Sequence, residues 1–167
     1  VDDRVVSAFT FSKTYAMTGW RVGYIVGPQS IISHILRAQE PTVSCINSIS
    51  QRAALAALLG PQDCVAEMRA AYAARCRLVS GILDAHGLAY STPRGAFYTM
   101  VDISPSGLDD LDVSRRLVAE HRVAVAPGTA FGPGSGHFVR LSLASADDVL
   151  REGTTRVAAA INTWASA

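Results

Sequence analysis

Apolar positions follow a strand rhythm at the start of the chain and a helical rhythm soon after. Arg4 to Phe11 (RVVSAFTF) is rich in β-branched and aromatic residues and reads as a buried strand. Trp20 to Val26 (WRVGYIV) reads as a second strand, stopped by Gly27-Pro28, and the loop 12–19 between them is small and polar. From Pro28 the spacing becomes helical. Ile31, Ile32, Ile35 and Leu36 give one apolar face, and the helix is expected to end at Glu40 because Pro41 follows. Asn47 or Ser48 caps a further helix through Leu59, which Gly60 ends. A long helix is predicted from Pro61 to His86. Its stripe of Val65, Met68, Tyr72, Cys76, Val79 and Leu83, at helical spacing, belongs in a core. Gly87 suits the position just past its end.

After Gly87 the elements shorten. Strands are expected at Leu88 to Ser91 and Ala96 to Asp102, around Pro93-Arg94-Gly95. Ser104 to Asp110 reads as a turn-rich loop, and Asp112 caps a helix through His121. Val123 to Ala126 is a short strand, and Pro127 to Gly136 holds four glycines and two prolines and is a loop. Phe138 to Ala144 (FVRLSLA) alternates, so it is a strand with one wet face. Ser145-Ala146-Asp147-Asp148 resembles a capping box ahead of a last helix to about Ala165. The order implies an α/β chain with an α+β small domain. Residues 1–30 form the edge of a larger α/β domain's sheet, residues 31–40 a linker helix, and residues 41–167 a small α+β domain. Two strands make only a marginal sheet alone, and the chain opens on Val1 inside a strand run, which suggests a piece of something longer.

Composition narrows the function classes. Of the 167 residues 49% are hydrophobic and 17% charged, which is ordinary globular chemistry. The net charge of +1 leaves no basic footprint for nucleic acid and no polybasic membrane patch. No apolar run reaches the length of a membrane-spanning helix. Cys45, Cys64 and Cys76 are odd in number and lack metal-ligand spacing, so they read as buried thiols in a reducing cytoplasm, and no metal site is expected.

Lysine and arginine total 15, yet Lys13 is the only lysine. A guanidinium stays charged at any working pH, so chemistry that needs a neutral amine cannot use arginine. A lone lysine is as readily a chance survivor on the surface as a reactive amine. Its setting is suggestive. Lys13 lies just past the first strand, where α/β domains place ligands, with Thr10 three residues before it and Arg21 eight after. An amine condenses with an aldehyde, a guanidinium takes phosphate through paired hydrogen bonds, and a hydroxyl takes a further oxygen. His34, His86, His121 and His137 have no partners at catalytic spacing, Tyr15 and Tyr24 read as packing residues, and Asp109-Asp110 as turn or cap residues.

The run Ser12-Lys13-Thr14-Tyr15-Ala16-Met17-Thr18-Gly19-Trp20-Arg21-Val22-Gly23-Tyr24 resembles the lysine signature of class I/II aminotransferases, the fold-type-I pyridoxal phosphate (PLP) enzymes. The likeness continues through Pro93 to Tyr98 (PRGAFY), Val125 to Gly132 (VAPGTAFG) and Phe138 to Ser142 (FVRLS), in the family's order. The resemblance implies the C-terminal portion of such an enzyme. Lys13 then forms the internal aldimine with PLP, and Arg21, Thr10 and Ser12 hold the cofactor phosphate, threonine standing where the family usually has serine. Arg140 grips the substrate α-carboxylate, although most arginines at such positions are simply solvated. Gly95 and Gly128 are open to a plainer reading as turn glycines.

The implied activity moves an amino group between an L-amino acid and a 2-oxo acid in a cytoplasmic homodimer. The same lysine and arginine serve β-lyases, decarboxylases and synthases on this scaffold, and a non-catalytic fragment is a third reading. Twelve residues precede Lys13. The family's carboxylate for the PLP ring nitrogen comes from an earlier strand, so the 167 residues alone are expected to be inactive.

Overall fold

The computed structural model describes residues 3–166. Residues 1, 2 and 167, which fall in the expected 1–30 and 41–167 segments, lie outside the described residues. The chain divides into two compact units, Val1–Met68 and Arg69–Ala167.

In the first unit β1 (Ser7–Thr10) pairs antiparallel with β2 (Gly23–Val26), setting Ser7 opposite Val26 and Thr10 opposite Gly23. Both strands are shorter than their hydrophobic runs. The second run starts late because Thr18–Trp20 makes a 3-10 turn and Arg21 sits in left-handed backbone at φ 50°, which no strand can contain. The strands are also more open than a buried strand: Phe9 is 48% and Ile25 44% exposed. Two strands cannot cover both of their own faces. Phe9, Tyr24 and Ile25 instead share an apolar groove of about 610 Å³ with Ile32, Ile35 and Leu36 of α1 (Gln29–Val43).

Helix α1 runs through Pro41 rather than ending before it. Proline removes one backbone donor, and in the last turn little of the helix remains to be disrupted. The Thr42 hydroxyl donates to the Ala38 carbonyl at 2.6 Å, and Ser44 N–H to the Glu40 carbonyl at 3.0 Å. Helix α2 (Ser48–Leu59) is capped by Asn47, as the pattern predicts: its side-chain oxygen accepts from Ser50 N–H at 2.8 Å. Phe11, Met17, Val22 and Ala54 form a small core, with Tyr15, Ile46, Ala53 and Ala57 packed against it.

Helix α3 (Asp63–Ala85) begins in the first unit and continues in the second. The second unit's sheet has the order β3 (Tyr98–Asp102), β5 (Phe138–Ser142), β4 (Ala126–Pro127), all antiparallel. Helices α4 (Asp110–His121) and α5 (Asp147–Ala165) complete it. Val79 and Leu83 of α3 meet Val101, Val139 and Leu141 of the sheet, Val113 and Leu117 of α4, and Val157 and Ile161 of α5 in one core. Each fully buried aliphatic side chain there contributes about 1.5–3 kcal/mol. This mixed α/β arrangement with two small sheets is the fold class that the patterning predicts.

Several local expectations change. Leu88 to Ser91 is reduced to a bridge between Tyr90 and Val101. The cap of α4 is Asp109, whose carboxylate accepts from Asp112 N–H at 2.8 Å, so Asp112 lies within the first turn. The capping box before α5 does not form. Ala146 holds the cap position without a side-chain bond, and Asp147 and Asp148 meet the positive end of the helix instead. The cysteines are free, but Cys45 and Cys64 are exposed and Cys76 is half-buried, because none of the three lies on the fully buried part of the core stripe. Among the described residues no helix is long and apolar enough to cross a membrane, and no group of three or more His, Cys, Asp or Glu side chains is placed to hold a metal ion.

Candidate functional site

Lys13 stands on a loop wound around one carbonyl. The Phe11 carbonyl accepts from Tyr15 N–H at 3.3 Å and from Met17 N–H at 3.4 Å, and the Lys13 carbonyl accepts from Ala16 N–H at 3.2 Å. The apolar ends of the loop, Phe11 and Met17, are buried, which leaves Lys13 at the exposed crest. Helix α2 and its flank hold the loop from beneath. The buried Ser50 hydroxyl donates to the Trp20 carbonyl at 2.9 Å, and the Tyr15 hydroxyl to Gln62 Oε1 at 3.0 Å. Ala16 (φ 53°) and Arg21 (φ 50°) both adopt left-handed backbone, which costs non-glycine residues energy and persists where the surroundings impose it.

Thr10, Ser12 and Arg21 meet beside this loop. With Val22 and Gly23 they line a cavity of about 190 Å³. The Thr10 hydroxyl donates to Ser12 Oγ at 3.0 Å and accepts from Ser12 N–H at 3.1 Å, so the two hydroxyls are held as a pair. Arg21 Nη1 donates to the Thr18 carbonyl at 2.9 Å, which fixes one edge of an exposed guanidinium. Gly23 is required by the strand pairing, since a Cβ there would lie 2.4 Å from the Phe9 carbonyl oxygen. Two hydroxyls and a guanidinium around one small cavity are a donor set that fits a phosphate group, and a primary amine on the adjoining crest fits an aldehyde. The residues present therefore fit PLP.

Arg140, in the second unit, lies on β5 with Met100 of β3 opposite it and Ala126 of β4 on its other side. Its guanidinium carbon is 4.1 Å from the centre of the Tyr98 ring and 4.0 Å from that of Phe131. Phe131 comes from the 3-10 turn Gly128–Phe131 in the glycine-rich loop. That turn is tied to α4 by Asp110, which is 2% exposed. One Asp110 carboxylate oxygen accepts from both Thr129 N–H and the Thr129 hydroxyl, each at 2.7 Å. The Thr129 backbone bond, reinforced by the hydroxyl, holds this carboxyl below the ordinary aspartate range despite burial, which acts in the opposite direction.

Four of the residues singled out from sequence, Thr10, Ser12, Lys13 and Arg21, thus lie on one loop and its flanking strand end. Arg140 lies in the other unit, half-buried rather than fully solvated. Gly128 is more than a turn residue, because a Cβ there would lie 2.0 Å from the Ser135 carbonyl oxygen and 2.5 Å from that of Phe138. Tyr98 and Phe131 were expected only as members of the family runs, and Asp110 only as a turn or cap residue. Tyr98 was within reach of pattern reasoning, since strand alternation puts it on the same face as Arg140. Asp110 was not, because an Asp-Asp pair before a helix looks like capping.

The model for the family described as aminotransferase class I and II matches residues 1–157. A probable N-acetyl-LL-diaminopimelate aminotransferase of Bacillus subtilis is 39% identical over 93% of this chain and 39% of its own length. An aspartate aminotransferase of Rhizobium meliloti is 39% identical over 95% of this chain and 41% of its own length. Among solved structures, an aromatic aminotransferase from Pyrococcus horikoshii superposes with a TM-score of 0.91 at 37% identity, over 96% of this chain and 44% of that one. The chain spans about two fifths of the length of the curated relatives it matches.

Proposed function

Since this chain belongs to the class I and II aminotransferases, we propose that the whole protein transfers an amino group between an L-amino acid and a 2-oxo acid, with PLP as cofactor and Lys13 as its covalent anchor. The observation that carries the reading is the grouping of Thr10, Ser12 and Arg21 around one cavity beside the chain's only lysine. Bound PLP supplies an aldehyde that condenses with amines and a conjugated ring that accepts the electrons of a broken bond at the substrate α-carbon.

The protein's own residues do the rest. Arg21 would hold the phosphate with its free guanidinium edge, and the Thr10 and Ser12 hydroxyls would supply further donors to it. Lys13 would hold the cofactor aldehyde covalently, and its amine, when free and neutral, would accept the proton leaving the substrate α-carbon, which an amine can do and a guanidinium cannot. Arg140 holds the substrate α-carboxylate and so fixes which α-carbon bond is broken. Relatives named for aspartate, aromatic amino acids and arginine–pyruvate share this stretch, so the reading extends to the α-amino acid and not to its side chain. The reading places the partner of the ring nitrogen outside the two fifths of the relatives' length that this chain spans, and it takes a homodimer as the working form of the whole protein.

The test is amino-group transfer by the full-length protein supplied with PLP, a panel of L-amino acids and 2-oxo acids, read as formation of the new amino acid. Arg140→Ala is expected to weaken substrate affinity at least about tenfold, the scale of a lost charge-assisted bond pair. Release of carbon dioxide or of a β-substituent without transfer would replace this reading with a decarboxylase or lyase. Unchanged affinity in Arg140→Ala for every amino acid would remove Arg140 from it.

A further inference from the structure

The surroundings of Arg140 carry more than its identity. A half-buried guanidinium ordinarily finds a carboxylate or several carbonyls to accept its five donors. Among the described residues Arg140 has no such acceptor, and its recorded partners are two aromatic rings. Rings engage the guanidinium through its π face, while the N–H groups project in its plane. A guanidinium held this way keeps its hydrogen-bonding edge for an anion from outside.

Tyr98 sits on a sheet strand, diagonal to Arg140 across the β3–β5 pair, so the sheet itself fixes that ring. Phe131 is different. It lies in an irregular loop, is 46% exposed and belongs to neither hydrophobic core. Something other than burial must keep it over Arg140. The loop is closed on itself, with Gly128 packed against the Ser135 and Phe138 carbonyls. It is fastened at both ends to a single residue: Asp110 accepts the two Thr129 bonds, and its own N–H donates to the Gly136 carbonyl at 3.2 Å. The buried carboxylate therefore sets the start of the turn that ends in Phe131.

We propose that Asp110 and Phe131 are positioning residues for the substrate carboxylate: Asp110 fixes the turn through Thr129, and the Phe131 ring, with Tyr98, holds the Arg140 guanidinium with its donor edge free. The proposal rests on the reading of Arg140 as the carboxylate clamp, and it assigns to the glycine-rich loop the job of presenting that clamp.

The experiment compares PLP-loaded full-length variants by calorimetric binding of propionate, a carboxylate without an amine, and by the pre-steady-state rate with an amino acid and with the corresponding amine that lacks a carboxylate. Phe131→Leu leaves both cores intact and is expected to weaken propionate about threefold, the scale of one partly exposed cation–π contact. Asp110→Ala is expected to weaken it about tenfold. Thr129→Ser, which keeps both donors to Asp110, retains wild-type binding. The rate with the amine stays within about twofold throughout. In an Arg140→Ala background neither Phe131→Leu nor Asp110→Ala has a further effect on propionate.

If Arg140→Ala weakens propionate while Phe131→Leu and Asp110→Ala do not, the positioning role is overturned and the clamp reading stands. If Arg140→Ala itself leaves propionate unaffected, the clamp reading fails. Equal losses for carboxylate and amine, or losses that persist in the Arg140→Ala background, assign Asp110 a purely structural part. Should Asp110→Ala not fold, Phe131→Leu alone and in the Arg140→Ala background decides the matter.

Discussion

A buried carboxylate is tolerable where donors meet it, and Asp110 is met by two donors from Thr129 on one oxygen. Those bonds favour the charged form, so its folded-state pKa lies below the ordinary value. A depressed carboxylate stabilises the fold above its unfolded pKa, about 3.9 for aspartate, and that contribution fades as pH falls through the lower folded value. Acid titration of unfolding free energy is expected to show a loss in that range. Asp110→Asn should flatten the profile there and lower stability near neutral pH. A variant with the wild-type acid profile would show that Thr129 does not hold the charged form. At this scale the proposed anchor, Lys13, draws notice in the sequence as the single lysine among arginines, inside a long family signature. Asp110 does not, because its partner lies 19 positions further along and only the folded loop brings them together.

Elements were legible where one periodicity ran long. The α2 cap and the C-terminal part of the α3 stripe, Tyr72 to Leu83, followed from spacing alone, whereas Val65 and Met68 at the start of that stripe belong to neither core. Boundaries failed where tertiary or backbone terms decided them. Arg21 in left-handed backbone cut short the second strand run, and Pro41 was absorbed in the last turn of α1. Ala126–Pro127 became a two-residue strand because β5 was there to pair with it. The glycine-rich loop, which composition marks only as irregular, closes so tightly that Gly128 has no room for a methyl group. Gly128→Ala forces two backbone carbonyls aside, and overpacking of this kind costs about 1–3 kcal/mol. A thermal melt should show Tm lowered by at least about 2 °C. An unchanged Tm would mean that the loop opens without cost.

For the whole molecule, the two units carry different parts of the proposed chemistry. Val1–Met68 holds the amine and the phosphate donors, and Arg69–Ala167 holds the arginine between its two rings. The family likeness was legible across nearly the whole chain because its motifs are contiguous runs. The surroundings of Arg140 were not, because Tyr98, Asp110 and Phe131 come from three separate elements. Every chemical step proposed here passes through one side chain, and borohydride reduction of the PLP-loaded full-length protein, followed by peptide mass mapping, tests it most directly. The account predicts a phosphopyridoxyl label on Lys13, lost in Lys13→Ala. A label confined to another residue, or no label on the wild-type protein, would contradict it.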